Sequence, residues 1–239
     1  MSWDYLESLD PFFERGLIDE VLYEVKSGKE ATVFCCRSGE ELVAAKVYRP
    51  RERRGFKNDS LYREGRVILD TRIRRAVAAK TAMGREAEFG LWVYNELEQL
   101  KTLHALGADV PRPIASAGVA LLLEFIGDED GPAPLLKHAE LSVGEARAML
   151  DGLLWNVERL LANNVVHGDL SPFNVLVWNG KATIIDFPQA VDPRFNHHSF
   201  DLLQHDVEQL CRHFVRYGVT YDAERLAAGL WAGFLTAEL

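Results

Sequence analysis

One segment indicates the fold: residues 165–192 read VVHGDLSPFNVLVWNGKATIIDFPQAVD. Two apolar runs in it, VLVW and ATII, flank an Asn-Gly pair, which is a strong signal for a two-residue β-hairpin turn. Pairing of these runs would bring Asn174, just before the first strand, next to Asp186, just after the second. Asp169 lies five residues before Asn174, in a loop that enters the same end of the hairpin. We therefore expect two carboxylates and one amide to converge at the open end of this hairpin.

These three side chains offer hard oxygen atoms, which Mg²⁺ prefers as ligands while it keeps water and substrate phosphates in its remaining positions. One aspartate and the asparagine suit such a metal, and the other aspartate is then free to orient or deprotonate a nucleophile. Each residue by itself is typical of a turn or a strand end. Their joint spacing, HGDLxxxN followed by a hairpin and IDF, favours a site for phosphoryl transfer instead. His167, by contrast, is predicted to be structural and to bind the backbone.

Phosphoryl transfer also needs a cation on the phosphates, and Lys46 in the apolar strand LVAAKVY is the candidate. A helix is predicted over residues 86–106. Glu96 lies near the middle of its apolar stripe, whereas Glu98 lies on the opposite face. A carboxylate in an apolar stripe is costly unless it meets a cation. The sequence therefore predicts a Lys46–Glu96 ion pair, of the strand-to-helix kind that recurs in kinases.

The rest of the chain predicts a small β-rich lobe followed by a helical lobe. Strands are predicted at 21–27, 31–37, 42–48 and 118–127, and further helices at 142–163, 199–217 and 223–236. Ser142 and Glu145 form a capping-box pattern at the first of these further helices. The Gly/Pro-rich link DEDGPAP separates the lobes, which we place at residues 1–127, with a basic flexible segment at 49–85, and 128–239. The predicted fold class is α+β, a two-lobed protein-kinase-like fold forming one kinase domain.

Composition and charge exclude several classes of protein. The chain of 239 residues has a net charge of −9, and no apolar run approaches the roughly 18 residues that a membrane-spanning helix needs. The acidic first twenty residues resemble neither a secretion signal nor a transit peptide, and three cysteines make a poor disulfide framework, so we expect a cytoplasmic protein. Residues 51–85 contain eleven basic and four acidic residues. This basic segment indicates a polyanionic partner or an internal acidic surface, or is simply a solvated face.

Several segments together resemble the RIO-type atypical serine/threonine protein kinases, over about residues 9–218. The resemblance rests on SGKEATVF, AAKVYR, LLLEFIG, HGDLSPFNVLV and IIDFPQAVD, and the subfamily without a winged-helix domain is the more similar one. SGKEATVF has one glycine where most kinases have three, and a single-glycine loop is what this family shows. Gly168 and Pro188 stand where many kinases have arginine and glycine, so the resemblance implies no regulation by a phosphorylated activation loop.

The resemblance implies ATP and Mg²⁺ as cofactors, with Mn²⁺ as an alternative metal. Asp169 would be the catalytic base, and Asn174 and Asp186 would be the metal ligands; in this family the latter can also be phosphorylated as an intermediate. The implied nucleotide-binding residues follow the chain from the phosphate loop to the strand before the lobe link: Ser27, Gly28, Lys29, Glu30, Val33, Ala44, Lys46, Glu96, Glu124 and Ile126. Lys46 would contact the phosphates and also act in catalysis. The basic segment would correspond to the family's flexible loop, with Ser60 as a candidate autophosphorylation site.

The expected function is therefore transfer of the γ-phosphate of Mg-ATP to serine, including autophosphorylation, or ATP hydrolysis through an aspartyl-phosphate. The resemblance also implies a role in ribosome maturation, with residues 51–85 contacting ribosomal particles or RNA. An alternative is a small-molecule phosphotransferase similar to aminoglycoside or choline kinases, which share the HGDLxxxN and IDF pattern. A third reading is a binding scaffold without catalysis, which the presence of every chemistry-bearing residue disfavours.

Overall fold

The computed structural model describes residues 6–49 and 82–239, with side chains in the second range described from residue 90 onward. The chain divides into two compact units. The first contains the described residues 6–49, 82–102 and 111–132, and the second contains 103–110 and 133–239. Ser60 and most of the basic segment lie outside the described residues, so the predictions made for them are not addressed by the structure.

The first unit is built on an antiparallel sheet. Its described elements are a 3-10 helix at Glu7–Leu9, α1 (Asp10–Glu14), β1 (Glu20–Ser27), β2 (Ala31–Ser38), β3 (Glu41–Tyr48), most of α2 (Ala82–Ala105), β4 (Pro113–Ala117), β5 (Ala120–Glu124), β6 (Gly127–Asp128) and β7 (Gly131–Pro132). The main sheet has the order β1-β2-β3-β5-β4, and all neighbours in it are antiparallel. The predicted strands are confirmed. β4 was not predicted; it is an edge strand that begins at Pro113, a position where strands tolerate proline.

Successive side chains of β3 point to opposite faces of the sheet, so the two faces carry different residues. Val43, Ala45 and Val47 belong to a buried core. The other members of this core come from the N-terminal segment before β1 and from the other strands: Leu9, Phe12, Ile18, Phe34, Cys36, Ala115, Ala120 and Leu122. The intervening residues, Ala44 and Lys46, point to the opposite face, and Val33 on β2 lies directly across from Lys46. Three of the predicted nucleotide-binding residues therefore share one face of the sheet.

The second unit is mainly helical and carries a separate β-hairpin. Its described elements are a 3-10 helix at Leu136–His138, α3 (Val143–Ala162), β8 (Val175–Trp178), β9 (Lys181–Ile184), α4 (Ser199–Phe214), a 3-10 turn at Val215–Tyr217 and α5 (Ala223–Thr236). The capping box predicted for α3 is confirmed, since Ser142 Oγ accepts from the Glu145 N–H and Glu145 Oε2 accepts from the Ser142 N–H. The helix predicted at 199–217 is α4 followed by the 3-10 turn, and it ends at Gly218, whose φ of 78° is left-handed.

The helices α3, α4 and α5 pack against one another. Leu150 and Leu153 of α3 and Leu203 and Leu210 of α4 are buried. This spacing gives each helix one apolar stripe toward the core. In the described parts of the chain, no helix combines the length and apolar character needed to cross a membrane. The lobe boundary between residues 127 and 128 stays a prediction.

Candidate active site

The hairpin predicted from the Asn-Gly pair is present. β8 and β9 pair in antiparallel register with Val175 opposite Ile184, and both residues of the turn between them have positive φ. The Ile185 N–H donates to the Asn174 carbonyl at 2.9 Å, which extends the ladder one step beyond the strands. Asn174 and Asp186 therefore meet at the open end of the hairpin, as the sequence predicted.

The Asp169 carboxylate reaches the same end of the hairpin. Asn174 Nδ2 donates to the Asp169 carbonyl at 2.8 Å and to its carboxylate Oδ2 at 3.3 Å, and Gln189 Nε2 donates to the same Oδ2 at 3.4 Å. Removal of water by the surrounding protein raises the pKa of Asp169 above its ordinary value. The hydrogen bond from Asn174 opposes this shift, and the neighbouring Asp186 carboxylate adds to it. The predicted convergence of two carboxylates and an amide is thus present, and the catalytic roles of these groups stay predictions.

Two buried side chains hold the loop backbone that carries this carboxylate. Asp206 on α4 accepts the Gly168 N–H at 2.8 Å with one oxygen and the Leu170 N–H at 2.7 Å with the other. Asp206 is 1% exposed, and this burial raises its pKa to about 8, although both hydrogen bonds act in the opposite direction. His167 Nε2 donates to the Ile185 carbonyl at 3.2 Å, which confirms the prediction of a histidine that binds the backbone.

In the first unit, Lys46 on β3 pairs with Glu96 on α2, as predicted. Lys46 Nζ lies 3.5 Å from Glu96 Oε1, and the two side chains are only 12% and 5% exposed. Glu96 Oε2 accepts a hydrogen bond from the Tyr48 hydroxyl. Glu98 instead pairs with Lys101 at 2.9 Å, and about half of each of these side chains is exposed. Glu96, on the apolar stripe, therefore forms the buried pair, and Glu98, on the opposite face of the helix, forms the surface pair.

The predicted phosphate loop connects β1 to β2. Ser27 is the last residue of β1, and the Gly28 N–H donates at 2.9 Å to the carbonyl of the first β2 residue, which closes a turn around Lys29 and Glu30. Ser27 Oγ accepts a hydrogen bond from Arg49 Nη2 at 2.6 Å. The Ser27 hydroxyl, at the start of this loop, is therefore hydrogen-bonded to the guanidinium of Arg49, the residue that follows β3.

The segment predicted to read adenine follows β5. Glu124 ends that strand: its N–H donates to the Arg112 carbonyl at 2.8 Å, and its carboxylate accepts the Arg112 N–H at 3.0 Å. Ile126 lies between β5 and β6. All residues predicted to bind the nucleotide belong to the first unit, and the predicted catalytic base and metal ligands belong to the second.

The oxygen donors at the hairpin end fit Mg²⁺. Within residues 6–49 and 82–239, no group of three or more His, Cys, Asp or Glu side chains is arranged to hold a metal by itself. Mg²⁺ is commonly held by one or two carboxylates and completes its shell with water and substrate phosphates. The Asn174 amide oxygen and the Asp186 carboxylate offer such a partial ligand set.

Comparison with known proteins decides the family. A family model described as the RIO domain matches residues 23–226. The chain belongs to the RIO family. Its curated RIO relatives are named serine/threonine-protein kinases, which is the class of enzyme that the sequence predicted for this chain.

The RIO relatives differ in how much of their length this chain spans. The RIO1 kinase of Caenorhabditis elegans is 32% identical over 207 residues, which covers 86% of this chain and 39% of that protein. The human RIO1 kinase is 30% identical, covering 86% of this chain and 35% of that protein. The Rio1 kinase of Thermoplasma acidophilum is 30% identical over 195 residues, covering 81% of this chain and 96% of that protein. The chain thus spans less than half of the animal relatives and nearly all of the archaeal one.

Solved RIO structures confirm the predicted fold class. The Rio2 kinase from Chaetomium thermophilum superposes with a TM-score of 0.70 and 19% identity, covering 95% of this chain and 69% of that one. The complex of the same kinase with ADP, Mg²⁺ and phosphoaspartate gives a TM-score of 0.68 at 19% identity, covering 92% of this chain and 64% of that one. At this identity the likeness establishes the protein-kinase-like fold.

Four residues that contact the predicted functional residues or their loops were not found from the sequence: Tyr48 and Arg49 in the first unit, and Gln189 and Asp206 in the second. For Asp206 the signal was available, because it lies between Leu203 and Leu210 on the apolar stripe of α4. Asp206 was therefore predictable in the same way as Glu96, as an acid within an apolar stripe. Contacts made by the other three depend on tertiary packing, and no local pattern indicates them.

Proposed function

We propose that this RIO-family chain transfers the γ-phosphate of ATP to a serine hydroxyl with Mg²⁺ as the metal. The observation that carries the proposal is the convergence of Asp169, Asn174 and Asp186 at one hairpin end, because kinase-type transfer needs a carboxylate near the attacking oxygen beside the metal ligands. The buried Lys46–Glu96 pair supports the same reaction. Serine as the acceptor is supported by the names of the relatives.

Asp169 would orient and deprotonate the acceptor hydroxyl. Its Oδ2 accepts two amide donors, from Asn174 and Gln189, which fix the plane of the carboxylate. We therefore assign Oδ1 as the oxygen that takes the proton. A raised pKa makes this carboxylate a stronger base than an ordinary aspartate, which brings it closer to the pH at which general-base catalysis is most efficient.

Asn174 and Asp186 would hold the metal. Asn174 uses its Nδ2 for Asp169, so its amide oxygen is the atom suited to Mg²⁺. The bound ion would neutralise charge shared by the phosphates. Because the Chaetomium Rio2 complex contains a phosphoaspartate, we also propose Asp186 as the residue that can be phosphorylated. A carboxylate oxygen would bond to the γ-phosphorus as the bond to the ADP oxygen breaks, and water would later release phosphate.

Residues of the first unit would bind the nucleotide. Lys46 would bind a phosphate oxygen while it stays paired with Glu96, and Ser27, Gly28, Lys29 and Glu30 would lie over the phosphates. Val33 and Ala44 would line the base on the sheet face that they share with Lys46. The backbone of Glu124 and Ile126 would read adenine.

Incubation with γ-labelled ATP and Mg²⁺, followed by mapping of the label, tests this proposal. We expect Asp169→Ala to lower turnover by at least about 100-fold, as loss of a general base usually does. Asp186→Ala should abolish Mg²⁺-dependent nucleotide binding. Asp201→Ala is the matched control, because Asp201 is an acid of the same unit with a 78% exposed side chain.

The chemistry of the label separates the two outcomes of transfer. Acid-stable label would lie on serine, and base-labile label would be an acyl phosphate on Asp186. Turnover by Asp169→Ala equal to that of the Asp201→Ala control would refute the assignment of the base. Release of inorganic phosphate without any protein-bound label would make hydrolysis the activity.

We further propose that the basic segment 51–85 binds the phosphate backbone of RNA, including that of ribosomal particles, and that the protein is cytoplasmic. The charge of the segment supports the first point. The second is supported by Cys35, Cys36 and Cys211, which are all free and buried, as in a reducing compartment. RNA affinity should fall steeply with salt, and replacing the arginines of the segment by glutamine should make that dependence much weaker.

A further inference from the structure

Tyr48 contacts both members of the buried ion pair. It lies two residues after Lys46 in β3, so the two side chains leave the same face of the sheet. Its hydroxyl donates a hydrogen bond to Glu96 Oε2, while Lys46 Nζ lies 3.5 Å from the other carboxylate oxygen. The same ammonium lies 4.7 Å from the centroid of the Tyr48 ring, within cation–π distance.

The helix side of this cluster has a matching spacing. Trp92 and Glu96 are four residues apart on α2, so both point to the same side of the helix. The Trp92 ring meets the Tyr48 ring edge-on, with centroids 4.7 Å apart and an angle of 76° between the planes. Lys46 and Tyr48 from the strand thus interlock with Trp92 and Glu96 from the helix.

The long distance between Lys46 and Glu96 indicates that Tyr48 helps to hold the Glu96 carboxylate in place. A charge-assisted hydrogen bond from an ammonium to a carboxylate is usually about 2.7–2.9 Å long. The 3.5 Å separation between Lys46 and Glu96 is therefore too long to fix the carboxylate firmly. The shorter contact of Glu96 is the one with the Tyr48 hydroxyl, and Tyr48 itself is fully buried.

We propose that Tyr48 is a positioning residue for phosphoryl transfer: its hydroxyl anchors Glu96 against the sheet, so that Lys46 is oriented by the pair and still able to bind a phosphate oxygen. The inference rests on the proposed function of Lys46. Because the hydroxyl holds one carboxylate oxygen, the lysine does not have to supply the whole counter-charge. The edge contact with Trp92 keeps the phenol ring in the orientation that aims its hydroxyl at Glu96.

The test is Tyr48→Phe, which removes the hydroxyl and keeps the ring that faces Lys46 and Trp92. We expect kcat for labelled-phosphate transfer to fall about tenfold or more, the usual consequence of losing a hydrogen bond to a charged group. KM for ATP should change by less than about threefold, because the loss affects orientation more than ground-state binding. Tyr94→Phe is the matched control, since Tyr94 lies on the helix that carries Glu96 and is 50% exposed.

A double-mutant cycle shows whether Tyr48 acts through Glu96. In a Glu96→Ala background the hydrogen bond from the Tyr48 hydroxyl to Glu96 Oε2 is already absent, so Tyr48→Phe should change kcat by less than about twofold. Equal losses in both backgrounds would overturn the inference. It would also be overturned if Tyr48→Phe lost the folded circular dichroism spectrum, because the role would then be structural.

The proposed function can fail separately. If the wild-type chain shows no turnover that depends on Asp169, the proposed function itself is wrong. If wild-type turnover depends on Asp169 and Tyr48→Phe remains as active as Tyr94→Phe, the role of Tyr48 alone is refuted.

Discussion

Replacing Asp206 by asparagine should loosen the loop that carries Asp169. Both oxygens of the Asp206 carboxyl accept backbone N–H groups, from Gly168 at 2.8 Å and Leu170 at 2.7 Å. Asparagine has one oxygen, and its nitrogen has no lone pair to offer, so one of these buried N–H groups must lose its partner. Leaving a buried donor without an acceptor costs about 1–3 kcal/mol.

Amide hydrogen exchange measures this change where it occurs. If the free energy of local opening falls by about 1–3 kcal/mol, the amide of Gly168 or Leu170 that loses its acceptor should exchange about 5 to 150 times faster. The urea midpoint should fall by about 0.3–1 M, for a denaturant slope of about 3 kcal/mol per molar. Transfer of labelled phosphate should fall as well, because Asp169 lies between the two anchored residues. KM for ATP should change little, since the nucleotide-binding residues belong to the other unit.

Asp201→Asn on the same helix is the control. The Asp201 side chain is 78% exposed, so its substitution should change the unfolding free energy by less than about 0.5 kcal/mol. Exchange of the two loop amides in Asp206→Asn at the control rate would refute the reasoning. So would wild-type turnover in Asp206→Asn, because it would mean that the loop keeps its conformation without the second acceptor.

Three further outcomes are expected. Burial raises the pKa of Asp206 to about 8 against about 3.9 in an unfolded chain, so the folded state retains a proton that the unfolded state releases between these values. The contribution of Asp206 to stability should therefore fall as pH rises from about 4 to about 8, and urea midpoints across that range should show a component that Asp206→Asn lacks. Ser142→Ala removes the capping box with Glu145 and should cost about 1 kcal/mol, measured as a lower melting temperature against exposed Thr102→Ala. Gly168→Ala forces a side chain onto a residue with a φ of 79° and should cost about 1–2 kcal/mol of unfolding free energy, whereas the same change at Gly144, whose φ is not positive, should have a much smaller effect.

Much of the fold could be predicted because its signals are local. The Asn-Gly pair and the apolar runs on either side of it predicted the β8–β9 hairpin, and the hairpin then fixed the meeting of Asn174 and Asp186. The capping box predicted where α3 begins. Gly218 predicted where the helical segment formed by α4 and the following 3-10 turn ends. β4 was missed because its few residues begin with proline and show no strong alternation.

One long-range contact was also predictable. Lys46 and Glu96 are fifty positions apart, yet each is a charge within an apolar pattern, and a buried charge requires a counter-charge. The structure confirms this pair at 3.5 Å. Periodicity on α2 indicated which of two nearby glutamates was buried, so the sequence was sufficient for that choice.

The sequence alone determined which residue types are present for phosphoryl transfer and which of them local geometry brings together, because turn chemistry and periodicity act over a few residues. Tertiary structure decided what holds those residues in place. Asp206 binds backbone N–H groups, which every residue except proline possesses, and Tyr48 and Trp92 meet only because β3 and α2 pack in one particular register. Such contacts depend on the relative placement of distant elements, and no spacing within a single element specifies that placement.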